Sequence, residues 1–233
     1  MSEGRQMLQF NTPDGDERGG VECGARDLII AGWTGRDKVA MEAHIIELEK
    51  LGVRRPEKTP IFYRGASTLL TQNKEVEIVG ADASGEVEPV IFSTTQGIFL
   101  GLGSDHTDRK VETVGIAISK QLCAKPVSHE IWKLDRIADH WDQLVIRSWI
   151  SRGGERRKYQ EGTLAKMRHP ADLLRLYGGE SYEPPEGTVM FCGTLAVCGE
   201  IESADLFEME LEDPVLGRKI QHHYRVIELP VAG

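Results

Sequence analysis

The stretch GEVEPVIFSTTQGIFLGLG, residues 85–103, constrains the fold more than any other part of this chain. An apolar run over residues 87–93 meets a second over 98–103 across Thr94-Thr95-Gln96-Gly97, a length and composition that close a β-hairpin and leave no room for a crossover. A second hairpin, LVIRSWI (144–150) returning near 156–160 around Gly153-Gly154, repeats the device. Further strands are predicted over 27–32, 61–64 and 75–80 and through TVMFCGTL, LFEMELED and RKIQHHYRVIEL, and helices over 37–51, 108–122 and 169–178. Strands outnumber helices and often follow one another directly, which predicts an α+β fold with mainly antiparallel pairing.

The hairpin begins with charge. Glu86 and Glu88 flank Val87, so on a strand both carboxylates share a face, where they repel and raise each other's pKa unless a cation lies between them. Either the pair meets solvent or it holds a hard metal ion. Asp105, just beyond the return strand, comes back to the same end of the sheet; three carboxylates completed by water suit Mg2+ or Mn2+, with His106 beside them as a spare ligand. On the predicted helix 37–51, Met41, Ile45, Leu48 and Leu51 form an apolar arc that contains His44, with Glu47 at its edge. His44 and Glu47 lie one turn apart, which suits either a core histidine or a general base oriented by a carboxylate. Lys120 and Lys125 precede Pro126, and Gly193-Thr194 follows an apolar strand as a turn or an oxyanion-binding donor.

Composition removes several classes. A formal charge of −9 and the absence of a long basic face exclude a nucleic-acid partner or an anionic membrane surface. No apolar run reaches the 18 or so residues of a membrane span. The polar start MSEGRQMLQFNTPDGDERGG has no signal-peptide core, so a cytoplasmic protein is expected, with Cys23, Cys123, Cys192 and Cys198 reduced and buried. The run Arg152, Arg156, Arg157, Lys158 reads as a solvated hairpin tip, and adjacent His222 and His223 on a strand face opposite ways and do not share an ion.

Taken in order, these pieces resemble the fumarylacetoacetase superfamily, over about residues 27–229. AGWTGRDKVAMEAHIIELEKLG resembles its opening strand, loop and His-x-x-Glu helix; RRPEKTPIFYRGASTLL its proline-rich entry to a strand, with Arg64 where lysine is usual. GEVEPVIF is similar to the Glu-x-Glu strand and GSDHTDRKVE to the segment that supplies the third acid; the Gln-x-Gly hairpin and the Gly-Thr turn have counterparts in QEGT and FCGTL. The resemblance implies a mixed β-sandwich or roll with a few short helices, residues 27–233 as the catalytic domain, and residues 1–26 as an extension packed on it or flexible. It implies Glu86, Glu88 and Asp105 as metal ligands, His44, Glu47 and Lys120 as catalytic residues, and Arg109, Glu112 and Thr194 as substrate-binding residues. The activity implied is an Mg2+- or Mn2+-dependent hydrolase or lyase, in a homodimer, acting on a small 2-oxo acid or 1,3-dicarbonyl compound. Dehydration of a 2-oxo acid and a non-catalytic binding protein on the same scaffold are the alternatives. Ser104, Thr107-Asp108 and Glu112 depart from the family pattern of asparagine, Ser-Ala and glutamine, and the connection from Glu88 to Asp105 is short. These changes fall on the substrate pocket.

Overall fold

The computed structural model of the chain describes residues 6–13, 20–50 and 55–232, the side chains of residues 44, 47, 48 and 50 excepted. Its frame is two sheets. Six strands run in the order Trp132–Lys133, Gly97–Ser104, Val87–Thr94, Thr188–Phe191, Asp27–Gly32, Ile61–Gly65, and five in the order Glu155–Thr163, Val145–Arg152, Leu206–Asp213, Arg218–Leu229, Glu75–Val79. Pairing is antiparallel except where Thr188–Phe191 runs along Asp27–Gly32 and Arg218–Leu229 along Glu75–Val79. The fold is the α+β, strand-dominated one expected.

Side-chain periodicity explains the layering. In the five-stranded sheet buried and exposed residues alternate, as in Val76 and Ile78 or Ile220, His222 and Tyr224, so one face is wet. The central strands of the six-stranded sheet are dry on both faces. Along Asp27–Gly32, Ile29 and Ala31 join the large core shared with the five-stranded sheet, whereas Leu28 and Ile30 join a second core on the other side. The central hairpin divides likewise: Val87, Ile91, Leu100 and Leu102 go to the first core and Val90, Phe92 and Phe99 to the second. Its unbroken apolar pattern follows from having both faces covered.

What covers the second face is a hairpin that pattern reading missed. Strands Gln6–Phe10 and Val21–Ala25 pair antiparallel and bury Leu8, Phe10, Val21, Cys23 and Ala25, with the Phe10 ring 4.7 Å from that of Phe92. The described part of residues 1–26 is therefore a layer of the sandwich.

Three other expectations are corrected. The helix expected over 108–122 is two short ones, Arg109–Glu112 and Ile116–Gln121, because Gly115 between them is fully extended (φ −177°). The central turn is tighter than expected, with strands extending to Thr94 and from Gly97, and Thr94 Oγ1 both accepting from Gln96 N and donating to Gly97 O. Cys198 is exposed, while Cys23, Cys123 and Cys192 are buried. No helix among the described residues is long and apolar enough to cross a membrane.

Candidate metal centre

The site lies where the central hairpin leaves the sheet. Val87 pairs with Ser104 and Glu88 with Gly103, and the ladder continues past the strands with Asp105 N–H donating to Glu86 O at 2.9 Å. That register brings the three acids together: one carboxylate oxygen from each of Glu86, Glu88 and Asp105 lies within 4.8 Å of the others. Asp105 and Glu88 are buried and the Glu86 side chain is one-fifth exposed.

Two lysines and an arginine answer the negative charge. Lys120 Nζ bonds directly to Asp105 Oδ2 and stands 3.7 Å from Glu86. Lys125 Nζ, wholly buried, is 3.1 Å from Asp105 Oδ1 and donates to the His106 carbonyl. Arg109 reaches Glu86 at 3.1 Å, Glu112 at 3.0 Å and Ser84 Oγ at 2.7 Å. Burial raises the pKa of Asp105, but Lys120 and Lys125 outweigh it and hold the group down at about 2. Glu88 goes the other way. Burial, then Asp105 and Glu86, push it well above the usual carboxylate range despite Lys120 and the Gly193 N–H. With Glu112 counted, four carboxylates face three cations, a condition that a bound cation relieves.

A divalent ion fits these donors. The acids are hard oxygen ligands from two adjacent strands, with Asp105 and Glu88 buried so that water alone cannot neutralise them. Gly193 closes the far side by donating its N–H to Glu88 Oε2 at 2.7 Å. It must be glycine: its φ is +98°, and a Cβ there would lie 1.8 Å from Thr34 Oγ1.

A residue given no role in the sequence reading organises the rest. Gln160, fully buried, accepts from Val87 N at 3.1 Å and Ser148 Oγ at 3.0 Å and donates to Thr194 Oγ1 and Leu195 O, both at 2.7 Å. The Thr194 hydroxyl in turn donates to Val87 O at 2.7 Å. Both polar groups of the residue between the two glutamates are thus fastened to the Gly-Thr turn. On the other strand, His106 Nδ1 lies 2.9 Å from Tyr224 Oη, which donates to Ser104 Oγ, and that oxygen accepts from Glu86 N. Burial, then Lys125 and Arg109, lower the His106 pKa to about 3, so the ring is neutral.

Among the expected site residues, Glu86, Glu88, Asp105, Arg109, Glu112 and Lys120 therefore form one contiguous group, and Thr194 adjoins it through Val87. The Thr194 hydroxyl and the Gly193 N–H, expected as oxyanion donors, are both committed within the protein. His44 and Glu47 belong to the helix Lys38–Lys50, and their side chains lie outside the described residues.

The family model described as "Protein of unknown function (DUF2848)" matches residues 31–224. No curated protein matches the chain. Among solved structures, the chain is similar to a fumarylpyruvate hydrolase from Pseudomonas aeruginosa in complex with Mn2+ and pyruvate, at 15% identity and a TM-score of 0.62, covering 97% of each chain. It is also similar to a fumarylacetoacetate hydrolase family protein of yeast, at 18% identity and a TM-score of 0.61, covering 89% of this chain and 95% of that one. A 2-keto-3-deoxyarabinonate dehydratase is matched at 19% identity and a TM-score of 0.59, over 89% of this chain and 74% of that one. The chain belongs to the DUF2848 family, and it is built on the fold of the fumarylacetoacetate hydrolase family proteins.

Proposed function

We propose that the protein is a divalent-metal-dependent hydrolase or lyase acting on a small 2-oxo acid or 1,3-dicarbonyl compound. The observation that carries this reading is the meeting of one carboxylate oxygen each from Glu86, Glu88 and Asp105 within 4.8 Å, two of the three acids being buried. The Mn2+ and pyruvate in the Pseudomonas aeruginosa structure support it by analogy of fold.

In this proposal Glu86, Glu88 and Asp105 hold Mg2+ or Mn2+. The bound ion supplies Lewis-acid stabilisation of the negative charge that develops on the substrate oxygens. Lys120 offers an ammonium beside those oxygens, since it already stands against two of the acids. His44 takes a proton from water or from the substrate at an imidazole nitrogen, oriented by Glu47 one turn along the helix. Arg109 and Glu112 set the charge at the mouth, and Thr194 keeps the turn that supports Glu88 in register. The same reading makes residues 27–233 the catalytic unit of a cytoplasmic homodimer without nucleic-acid or membrane partners.

The test is thermal unfolding with and without metal. Mn2+ at a hundred times its Kd stabilises the folded state by about 2.7 kcal/mol, a rise in Tm of roughly 5–10 °C for a chain of this size. Glu86→Ala abolishes the rise. No response in the wild-type protein sinks the metal centre. Metal binding without turnover of acylpyruvates, oxaloacetate or sugar-derived 2-oxo acids would instead favour a non-catalytic binding protein.

A further inference from the structure

The charges around the acids narrow the substrate class, and this inference rests on the metal-dependent reading above. Among the described residues the site holds four carboxylates, Glu86, Glu88, Asp105 and Glu112, against three cations, Lys120, Lys125 and Arg109. One negative charge is left over, and a divalent ion turns it into one positive charge. A chelating monoanion then leaves these described groups neutral, whereas a dianion leaves them negative, and the carboxylate of Glu47 in the proposed site adds to the second penalty.

The partners of the three cations lead to the same conclusion. Lys125 is wholly buried behind Asp105 and the His106 carbonyl, out of reach of any ligand. Arg109 has all three guanidinium nitrogens engaged, Nε with Ser84, Nη1 with Glu112 and Nη2 with Glu86. Lys120, whose two carboxylate partners are both metal-binding acids, gains a free ammonium once a metal takes over Asp105 and Glu86, whereas Arg109 keeps Glu112 and Ser84. One ammonium and one metal ion serve a single carboxylate and its neighbouring oxo group.

On the outer side stands an aromatic wall. Tyr63 lies on the edge strand Ile61–Gly65, which packs against the helix that carries Lys120, and its ring sits over Gly32. Its hydroxyl hydrogen-bonds with Trp33, a residue held in the left-handed region at φ 61°. Lys120, Glu112 and Asp105 all act electrostatically on that hydroxyl, so the wall borders the charged cluster.

We propose that the site takes a monoanionic 2-oxo acid, one whose far end carries no charge, and that Glu112 enforces this choice. Glu112 withholds Arg109 from a second carboxylate by occupying Nη1, and its own charge repels such a group. It is a specificity-determining residue; the acids that hold the metal are common to both kinds of ligand.

Calorimetry on the Mn2+-loaded full chain, with two five-carbon probes that differ only in the far end, tests this. The expected result is that 2-oxopentanoate binds at least about tenfold more tightly than 2-oxoglutarate, and that Glu112→Gln cuts the ratio to about threefold or reverses it. Equal affinities in the wild-type protein, or tighter binding of the dianion, overturn the inference, and so does a ratio left unchanged by Glu112→Gln in a protein of normal Tm. Binding of neither probe, with Mn2+ still raising Tm, also overturns it while leaving the metal centre intact. If Mn2+ does not raise Tm, the proposed function fails first and this inference with it.

Discussion

Lys120 stands at the centre of the charged cluster, bonded to Asp105 and close to Glu86. Burial lowers its pKa, but Asp105 and Glu86 outweigh that and raise it, so the ammonium persists at any ordinary pH. Lys120→Met removes one of the two cations on Asp105 and leaves a buried acid partly uncompensated, at a cost of about 2–3 kcal/mol. The expected outcome has two parts: a lower Tm without metal, and a larger rise with Mn2+ than in the wild type, since the ion no longer competes with an ammonium. An unchanged rise would show that Lys120 and the ion do not share these carboxylates. The acids themselves were legible in the sequence, because a two-residue spacing on a strand and a short turn fix which side chains meet. Lys125 was not legible in the same way. It differs from a surface lysine only in being wholly buried, a property that one residue type does not announce.

At the scale of elements, the hairpin Val145–Arg152 with Glu155–Thr163 does more than close the outer sheet. Its register shifts between Ser148 and Trp149, so Ser148 faces Gln160 while Trp149 faces Lys158. The extra residue is Tyr159, and the consecutive residues Tyr159 and Gln160 are both buried. Strict alternation would send one of them to solvent, which is why pattern reading found the hairpin but not the amide that braces the site. Gln160→Leu leaves the Val87 N–H and Ser148 hydroxyl without partners inside the core, costing about 3 kcal/mol. Chemical denaturation reads that loss, and the variant's Kd for Mn2+ is expected to rise about tenfold because Val87 links Glu86 to Glu88. Normal Mn2+ affinity in the destabilised variant would confine Gln160 to packing. The strands 27–32, 61–65 and 75–79 were nearly complete in the sequence, whereas Gln6–Phe10 was hidden by its polar neighbours. Five residues with two buried side chains carry too little periodicity to stand out; the apolar face of Val90 and Phe92, which they cover, is what recruits them.

For the molecule as a whole, two buried imidazoles, His106 and His222, tie stability to pH, and His222 is the one away from the acid cluster. His222 points inward from the long last strand, its Nε2 has no partner, and the His129 ring lies 5.8 Å away. Burial, followed by His129, His223 and Lys74, lowers its pKa to about 4. The unfolded chain binds this proton at about 6.5, so between the two values the unfolded state holds more protons and stability falls as pH falls. The full loss is roughly 3 kcal/mol below pH 4. His222→Gln is expected to reduce the slope of the Tm profile between pH 6.5 and 4, leaving the part due to His106, and an identical slope in the two proteins would assign the acid sensitivity elsewhere.

The strand Thr188–Phe191 sits between Val87–Thr94 and Asp27–Gly32, so residues far apart in the chain are neighbours at the centre of the sheet. During synthesis the glutamate strand emerges long before the segment that must lie against it and end at Gly193. A nascent or truncated chain that stops short of this insertion carries all three acids without the lateral support that aligns them. The ion capture proposed for these acids thus belongs to a chain whose last third has been translated.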